Sequence, residues 1–274
     1  MERYSVLMSL YRGENPEFLR TALDSMLNQT AAPDEIVIVE DGELTDGLYA
    51  LLDEYEKANN GVIKRIKNEK NEGLGVSLNV GLKECKNELV ARMDTDDISL
   101  PERCFKQLAE FEKDPTLSVC GTFVAEFSDD FNNVISVREV PTEQNEIYEF
   151  AKRRSPFNHP TVMMKKSDVL SVGGYSSMRR NQDVELFGRM MFNGFTAKNI
   201  PEVLLYYRLS KDAYKRRKSK ENSKAYIAVI KKFYKMGYAG RKDYLKVKFA
   251  QTAVRIMPIF LQKLLYKKFL RKKK

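Results

Sequence analysis

The chain has 274 residues, 43% of them hydrophobic and 31% charged, which excludes a disordered chain and suits one large α/β domain with an appendage. Its net charge of +9 is unevenly placed: from Lys211 onward there are 22 basic and 3 acidic residues, whereas residues 1–210 hold 25 basic and 35 acidic. An acidic body with a basic tail points to two jobs, a body that can hold a metal and a tail that can hold an anionic surface, nucleic acid or membrane.

Ser5 to Leu10 is continuously apolar and reads as a central strand covered on both faces. Pro16 opens a helix whose core stripe is Phe18, Leu19, Ala22, Leu23, Met26 and Leu27. Pro33-Asp34 punctuates, and Ile36 to Val39 is a second buried strand that stops at Glu40-Asp41-Gly42. A helix follows to Asn59, then a third, shorter strand from Ile63 to Ile66. Asn71-Glu72-Gly73-Leu74-Gly75 turns into a helix from Val76 to Glu84, and a fourth strand ends at Asp94. A helix from Pro101 to Glu112 leads to a long strand, Leu117 to Phe127, and Asn132-Asn133 turns into Val134 to Val137. The alternation then loosens. Pro156 to Thr161 reads as a rigid, non-helical loop into Val162-Met163-Met164. Gln182-Asp183 opens a helix with Val184, Leu186, Phe187, Met190 and Met191 as its apolar face and Asn193-Gly194 as its stop. Val203 to Arg208 is a last strand, Lys211 to Lys220 a basic linker, and the remainder reads as helical.

Strands that alternate with helices imply an α/β nucleotide-binding fold, a mostly parallel central sheet with helices on both faces. No Gly-x-x-x-x-Gly-Lys-Ser/Thr occurs, and Gly73-Leu74-Gly75 lacks the third glycine of the dinucleotide fingerprint, which disfavours an ATPase or a dehydrogenase. A nucleotide, if bound, is held by side chains and a metal. Cys85, Cys104 and Cys120 are odd in number and without metal-ligand spacing, which favours reduced thiols and a cytosolic setting. Met1 to Tyr4 lead straight into a strand, so no signal peptide is expected, and no apolar run is long enough to span a bilayer.

Asp94-Thr95-Asp96-Asp97 sits where a strand ends, the place where open α/β sheets bind ligands. In extended backbone Asp94 and Asp96 face the same way. Carboxylates this close repel, and a hard divalent ion, Mg²⁺ or Mn²⁺, is the natural counter-charge. Alone, the motif is more often a solvated acidic turn, and it is the surroundings that favour a metal site. A second acidic strand end, Glu40-Asp41-Gly42, is where a carboxylate can accept from a base N–H or a ribose hydroxyl.

Taken in order, Tyr4-Ser5-Val6-Leu7-Met8-Ser9-Leu10-Tyr11, Leu23 to Thr30, Ile36-Val37-Ile38-Val39-Glu40-Asp41-Gly42, Asn71-Glu72-Gly73-Leu74-Gly75 and Ala91-Arg92-Met93-Asp94-Thr95-Asp96-Asp97 resemble family 2 glycosyltransferases of the GT-A fold. The resemblance runs from Tyr4 to Arg208 and is nearest to bacterial enzymes that build capsule, exopolysaccharide or O-antigen. It implies inverting transfer from a nucleotide-sugar to a glycan acceptor; UDP-Gal, UDP-Glc, UDP-N-acetylhexosamines and a dTDP-linked deoxysugar are all compatible donors, and a sugar on a polyprenyl diphosphate is the acceptor that a membrane-bound tail would suit. It implies that Asp41 contacts the base, that Asp94 lies near ribose and metal, and that Asp96 is the main metal ligand, with Asp97 supporting it or touching the sugar. Ser9 and Tyr11 would line the nucleotide pocket. Glu43 stands where the commoner pattern has Ser, which bears on nucleotide specificity. The domains would be residues 1–210 for the GT-A unit (1–100 for the nucleotide-sugar, 101–210 for the acceptor) and 211–274 for a basic amphipathic helical tail.

Gln182-Asp183 resembles the pair that carries the family's catalytic base. Sugar transfer needs a carboxylate to take the proton of the incoming hydroxyl, although an N-cap role alone also accounts for an Asp at a helix start. Asp183 is the expected base and Glu185 the fallback. His159, the only histidine, is expected to touch the diphosphate or the acceptor, and Arg208 to reach the same site.

In the tail, Ile256, Ile259, Phe260, Leu264 and Phe269 form an apolar band interleaved with Lys263, Lys267, Lys268 and Arg271 to Lys274. Such a helix can lie on an anionic membrane, here the inner face of the plasma membrane, or pack on the body or a second subunit in a homo-oligomer. No nucleic acid partner is expected. Two other readings stand beside the transferase. One is a metal-dependent nucleotidyltransferase, which would want a glycine-rich basic loop where only Arg12-Gly13 is found. The other is a non-enzymatic membrane-surface adaptor, which leaves the acidic sites unexplained.

Overall fold

The computed structural model describes residues 2–209 and 219–258. Its elements run β1 (Tyr4–Leu10), α1 (Pro16–Leu27), β2 (Glu35–Asp41), α2 (Asp46–Ala58), β3 (Ile63–Asn68), α3 (Leu74–Glu84), β4 (Leu89–Arg92), β5 (Ile98–Ser99) and α4 (Arg103–Lys113). They continue with β6 (Leu117–Phe127), β7 (Ser136–Arg138), α5 (Gln144–Ala151), a 3₁₀ turn (His159–Thr161), β8 (Met163–Lys165), α6 (Lys166–Ser171), α7 (Gln182–Phe192), β9 (Thr196–Arg208), α8 (Lys220–Lys235) and α9 (Arg241–Ile256).

The strands form one sheet in the order β3-β2-β1-β4-β8-β6-β9-β5, with β7 beside β6. The first four are parallel, as the alternation with helices requires. Beyond β4 the sheet is mixed: β8 runs antiparallel to both β4 and β6, and β6 and β9 are parallel. Period-two alternation divides the central strands between two cores. Val6, Met8 and Leu10 of β1 and Ile36 and Ile38 of β2 meet α1, α2 and α4 on one face. Leu7, Val37 and Val39 point to the other face, which α3, α5, α7 and α8 cover. This two-sided covering is why the sequences of β1 and β2 are unbroken apolar runs.

Several sequence expectations shift. Pro101 sits in a turn, and α4 begins at Arg103. The loop expected to be non-helical ends in the 3₁₀ turn His159–Thr161. Strand β2 extends through Glu40 and Asp41, so Asp41 is the last residue of the strand. Helix α8 belongs to the second core through Val229, Ile230 and Phe233. A Cβ on Gly188 of α7 would lie 2.0 Å from the Phe233 ring, so the two helices approach as closely as they do because Gly188 has none. The tail's apolar positions from Ile259 to Phe269, and most of the basic linker from Lys211, lie outside the described residues.

Candidate active site

Parallel β1, β2 and β4 are neighbours, so their C-terminal ends open on one edge of the sheet. Ser9 and Tyr11 lie at the first of these ends, Asp41 at the second, and Asp94 just beyond the third. Tyr11 is exposed, and its ring occupies the space a Cβ on Gly13 would need.

Asp41 organises the turn into α3. Its Oδ1 accepts from the Glu72 N–H at 2.8 Å and from Asn68 Nδ2 at 3.2 Å, and its Oδ2 from the Gly73 N–H at 2.9 Å. Gly42 and Gly73 both take positive φ, which lets the backbone fold back against this carboxylate. Arg179, in the loop before α7, donates to Asn71 Oδ1 at 2.9 Å and so ties that loop to the same turn.

Ligand atoms of Asp94, Asp96 and Asp97 lie within 4.8 Å of one another. Arg92, the last residue of β4, is buried and ion-paired with Asp94, while its Nε and Nη1 have no hydrogen-bond partner. Asp97 is buried too: its Oδ1 accepts from the Arg208 N–H at 2.8 Å, and its Oδ2 has no partner. Arg208 donates from Nε to the Asp96 carbonyl at 2.8 Å, and its guanidinium lies 3.9 Å from the ring centroid of Phe18 and 4.5 Å from that of Phe127. Below the loop, Arg103 Nη1 donates to the carbonyls of Arg92 (3.1 Å) and Pro160 (2.7 Å), fixing the acidic loop to the 3₁₀ turn that carries His159.

Burial and the neighbouring Asp94 charge push the Asp96 carboxyl up to about 6. Burial, then Asp94 and Asp96, hold Asp97 well above the usual carboxylate range. Asp96 and Asp97 resist ionising beside Asp94, and Asp97 keeps an orphaned buried oxygen, so the three form a donor set that fits a hard divalent cation.

Asp183 stands in the first turn of α7, half-buried. Burial raises its carboxyl, the N–H groups of Val184 and of Asp183 itself oppose the rise, and it senses both Arg92 and Asp94. It therefore shares a field with the acidic cluster. His159 Nε2 lies 2.9 Å from the Tyr175 hydroxyl, with its ring edge-on to Tyr175 and Phe187. Burial and the Arg92 charge hold this imidazole well below its ordinary value, so it is neutral. Asn79 clamps the Tyr175 backbone from both sides, accepting its N–H and donating to its carbonyl, each at 2.7 Å. Arg92, Arg103 and Tyr175 escaped the sequence reading. The available signal was an arginine inside the strand Leu89-Val90-Ala91-Arg92, where every neighbour is apolar.

Glu185 is held differently. It is buried and carries two ion pairs, with Arg189 at 2.8 Å and with Lys232 of α8. Glu185→Gln is expected to destabilise the fold by about 2 kcal/mol, with half-exposed Lys232 discounted for screening. The turnover of the folded fraction should stay within about threefold, since a general base contributes ~10²–10⁴. Thermal melts and active-site-normalised kinetics check both; a loss of turnover above a hundredfold would make Glu185 the base.

A sheet of parallel strands with acidic ends at one edge, continued by a mixed half, is the architecture of GT-A glycosyltransferases. The comparisons agree. The model of glycosyl transferase family 2 matches residues 5–181, and the chain belongs to that family. It is 39% identical over 270 residues to an uncharacterized glycosyltransferase of Haemophilus influenzae, covering 98% of this chain and all of the relative. It is 35% identical over 271 residues to a UDP-Gal:alpha-D-GlcNAc-diphosphoundecaprenol beta-1,3-galactosyltransferase of Escherichia coli, covering 98% and 97% of the two chains. Among solved structures, the mannosyltransferase PcManGT of Pyrobaculum calidifontis, in complex with GDP-Man and Mn²⁺, superposes with a TM-score of 0.65 at 15% identity, over 93% of this chain and 70% of that one. The protein is a family 2 glycosyltransferase, and nucleotidyl transfer and a purely adaptor role fall away.

Proposed function

We propose that the chain transfers a hexosyl residue, galactose being the first donor to test, from a UDP-sugar to a hydroxyl of a sugar on a polyprenyl diphosphate. The observation that carries this is the gathering of Asp94, Asp96 and Asp97 with buried Arg92 just past the end of β4, in a chain that belongs to glycosyl transferase family 2. The Escherichia coli relative, named for transfer from UDP-Gal to such an acceptor, supports the donor and acceptor class.

Asp41 is proposed to receive the base, with Ser9 and Tyr11 beside it and Asp94 near the ribose. Asp96 and Asp94 would hold Mn²⁺ or Mg²⁺, with Asp97 behind them. Such an ion, when bound, offsets the negative charge that grows on the departing nucleoside diphosphate. Asp183 takes the proton of the acceptor hydroxyl while that oxygen bonds to the anomeric carbon; the bond from that carbon to the diphosphate oxygen breaks on the opposite face, inverting the centre. Arg208 holds the acidic loop in place, and neutral His159 offers a hydrogen bond to the acceptor or the diphosphate. Among the described residues no helix is long and apolar enough to cross a membrane. A lipid-linked acceptor is therefore proposed to be met by peripheral association, with the basic C-terminal region on the cytoplasmic leaflet.

The test is donor turnover across a panel of UDP-, GDP- and dTDP-sugars, with Mn²⁺, with Mg²⁺ and with chelator. One UDP-hexose should be hydrolysed slowly, and transferred faster when a polyprenyl-diphosphate-linked GlcNAc is supplied. The chelator should abolish both. Turnover of a GDP- or dTDP-sugar alone, or activity indifferent to chelator, would overturn the donor or the metal assignment respectively.

A further inference from the structure

The C-terminal helix α9 turns an apolar row to solvent. Leu245, Phe249 and Ile256 recur at helical spacing on one face and are 48%, 78% and 73% exposed. The opposite face holds the helix on the protein: Val247 is buried in the second core, and Tyr244 packs there and stacks on Tyr234 with centroids 5.9 Å apart. Basic side chains border the apolar row on both sides, Lys242 and Lys246 on one, Arg241, Lys248 and Arg255 on the other, and all five are exposed. Asp243, the one acidic residue of α9, is spent elsewhere. It accepts from the Gly240 N–H at 3.1 Å and lies 3.6 Å from Arg153.

We propose that this face of α9 is a docking surface for an anionic phospholipid bilayer. Charge decides the occupant. A second copy of the face would bring two rows of cations together, which repel. The chain's own residues 259–274 contain seven basic and no acidic residues, and so would meet the same repulsion if folded back onto it. An anionic leaflet matches both parts of the surface, taking the apolar row below its headgroups and pairing its phosphates with the flanking cations. At 16 residues and with this charge, α9 lies along an interface rather than across it. The surface is also connected to the chemistry. Helix α9 packs on α8, and α8 meets α7 through Phe233 against Gly188 and Lys232 against Glu185, so docking fixes the helix that carries Asp183 relative to the leaflet. The inference rests on the proposed lipid-linked acceptor for its purpose, but its test does not.

The experiment is co-sedimentation of the full chain with phosphatidylcholine vesicles, with and without phosphatidylglycerol. Wild type is compared with Phe249→Ser/Ile256→Ser and with Lys242→Glu/Lys246→Glu. Donor hydrolysis without vesicles is read in parallel as a check of folding. Wild type should bind the anionic vesicles and be released by salt, and each double variant should lose about tenfold or more in partitioning while hydrolysis is kept. Wild type that ignores anionic vesicles, or variants that bind as wild type does, would overturn the proposal. So would a wild-type dimer that becomes monomeric in Phe249→Ser/Ile256→Ser by light scattering, because the occupant would then be a second copy. Vesicle binding that follows these variants in a protein without donor turnover would support the docking surface and count against the proposed function alone.

Discussion

Asp96→Ala is expected to lower sugar transfer by about three orders of magnitude or more and to leave the residue indifferent to chelator. A bound cation at a leaving diphosphate supplies several kcal/mol, and each ~1.4 kcal/mol is tenfold in rate. Asp96 is the position where the loss concentrates. Arg92 is ion-paired with Asp94, and the Arg208 N–H is given to Asp97, whereas Arg208 meets Asp96 only at its carbonyl. The Asp96 carboxylate is thus left without an ion pair among the described residues, free for a cation. Stability should move the other way. In chelator-treated protein the Asp96 carboxyl sits at about 6, above the ~3.9 of an unfolded chain. The fold therefore binds that proton more tightly, and wild type should gain stability relative to Asp96→Ala as pH falls from about 6 towards ~4. At neutral pH the variant should melt no lower than wild type. Calorimetric Mn²⁺ titration with paired melts and transfer assays checks this. A variant that keeps a tenth of the activity and still responds to chelator would remove Asp96 from the metal site.

Much of this was legible because burial on two faces leaves a plain trace. The unbroken runs of β1 and β2, the 11-residue β6 and the start and stop of α7 all read correctly from local pattern. The carboxylates stood out as a candidate site only in company: three acids past one strand end read as a solvated turn by themselves, and a second acidic strand end in the same sheet shifts the reading. What failed to show depended on partners distant in sequence. The first half of β9 contains Lys198, Asn199, Pro201 and Glu202, which spell a loop. In the fold, Asn199 Nδ2 donates to the carbonyls of Pro141 and Pro156, and Pro201 and Glu202 fall in a register irregularity opposite Thr122 and Phe123. Strand β5 is two residues long and exists only through its pairing with Leu205 and Tyr206. Nothing local marks Arg103 for burial in the first turn of α4; it is buried because the carbonyls of Arg92 and Pro160 meet its guanidinium. The exposed row on α9 was missed for the opposite reason. Its three apolar residues are diluted by lysines, and only the burial of Val247 on the far face shows which side is turned outward.

Asp183→Asn is expected to reduce turnover with acceptor by about 10²–10⁴ while changing UDP affinity less than twofold, because a general base contributes that much and the amide cannot take a proton. Asn181 is the N-cap of α7 and Asp183 lies inside its first turn, where asparagine keeps the shape and an oxygen that accepts from the local N–H groups, so a purely structural role predicts almost no kinetic change. The pH profile separates the two. Burial holds the Asp183 carboxyl above the ordinary value of ~3.9, against the pull of Arg92 and the local N–H groups. Turnover should therefore be full above that raised value and fall as acid protonates the base, at a higher pH than a solvated aspartate would give. Asp96 and Asp97 also resist ionising, so the profile must be taken at saturating Mn²⁺, where a bound cation keeps them ionised and their titration is displaced to lower pH. The acid limb that remains belongs to Asp183 and should vanish in Asp183→Asn, whose low residual rate should be flat. Asp183→Glu should restore part of the rate and the limb with it. If the asparagine variant keeps turnover within tenfold of wild type, or keeps the limb, proton removal is done elsewhere. Glu185, paired to Arg189 and Lys232, is then poorly placed to take over, and the segment around His159 and Tyr175 becomes the place to look.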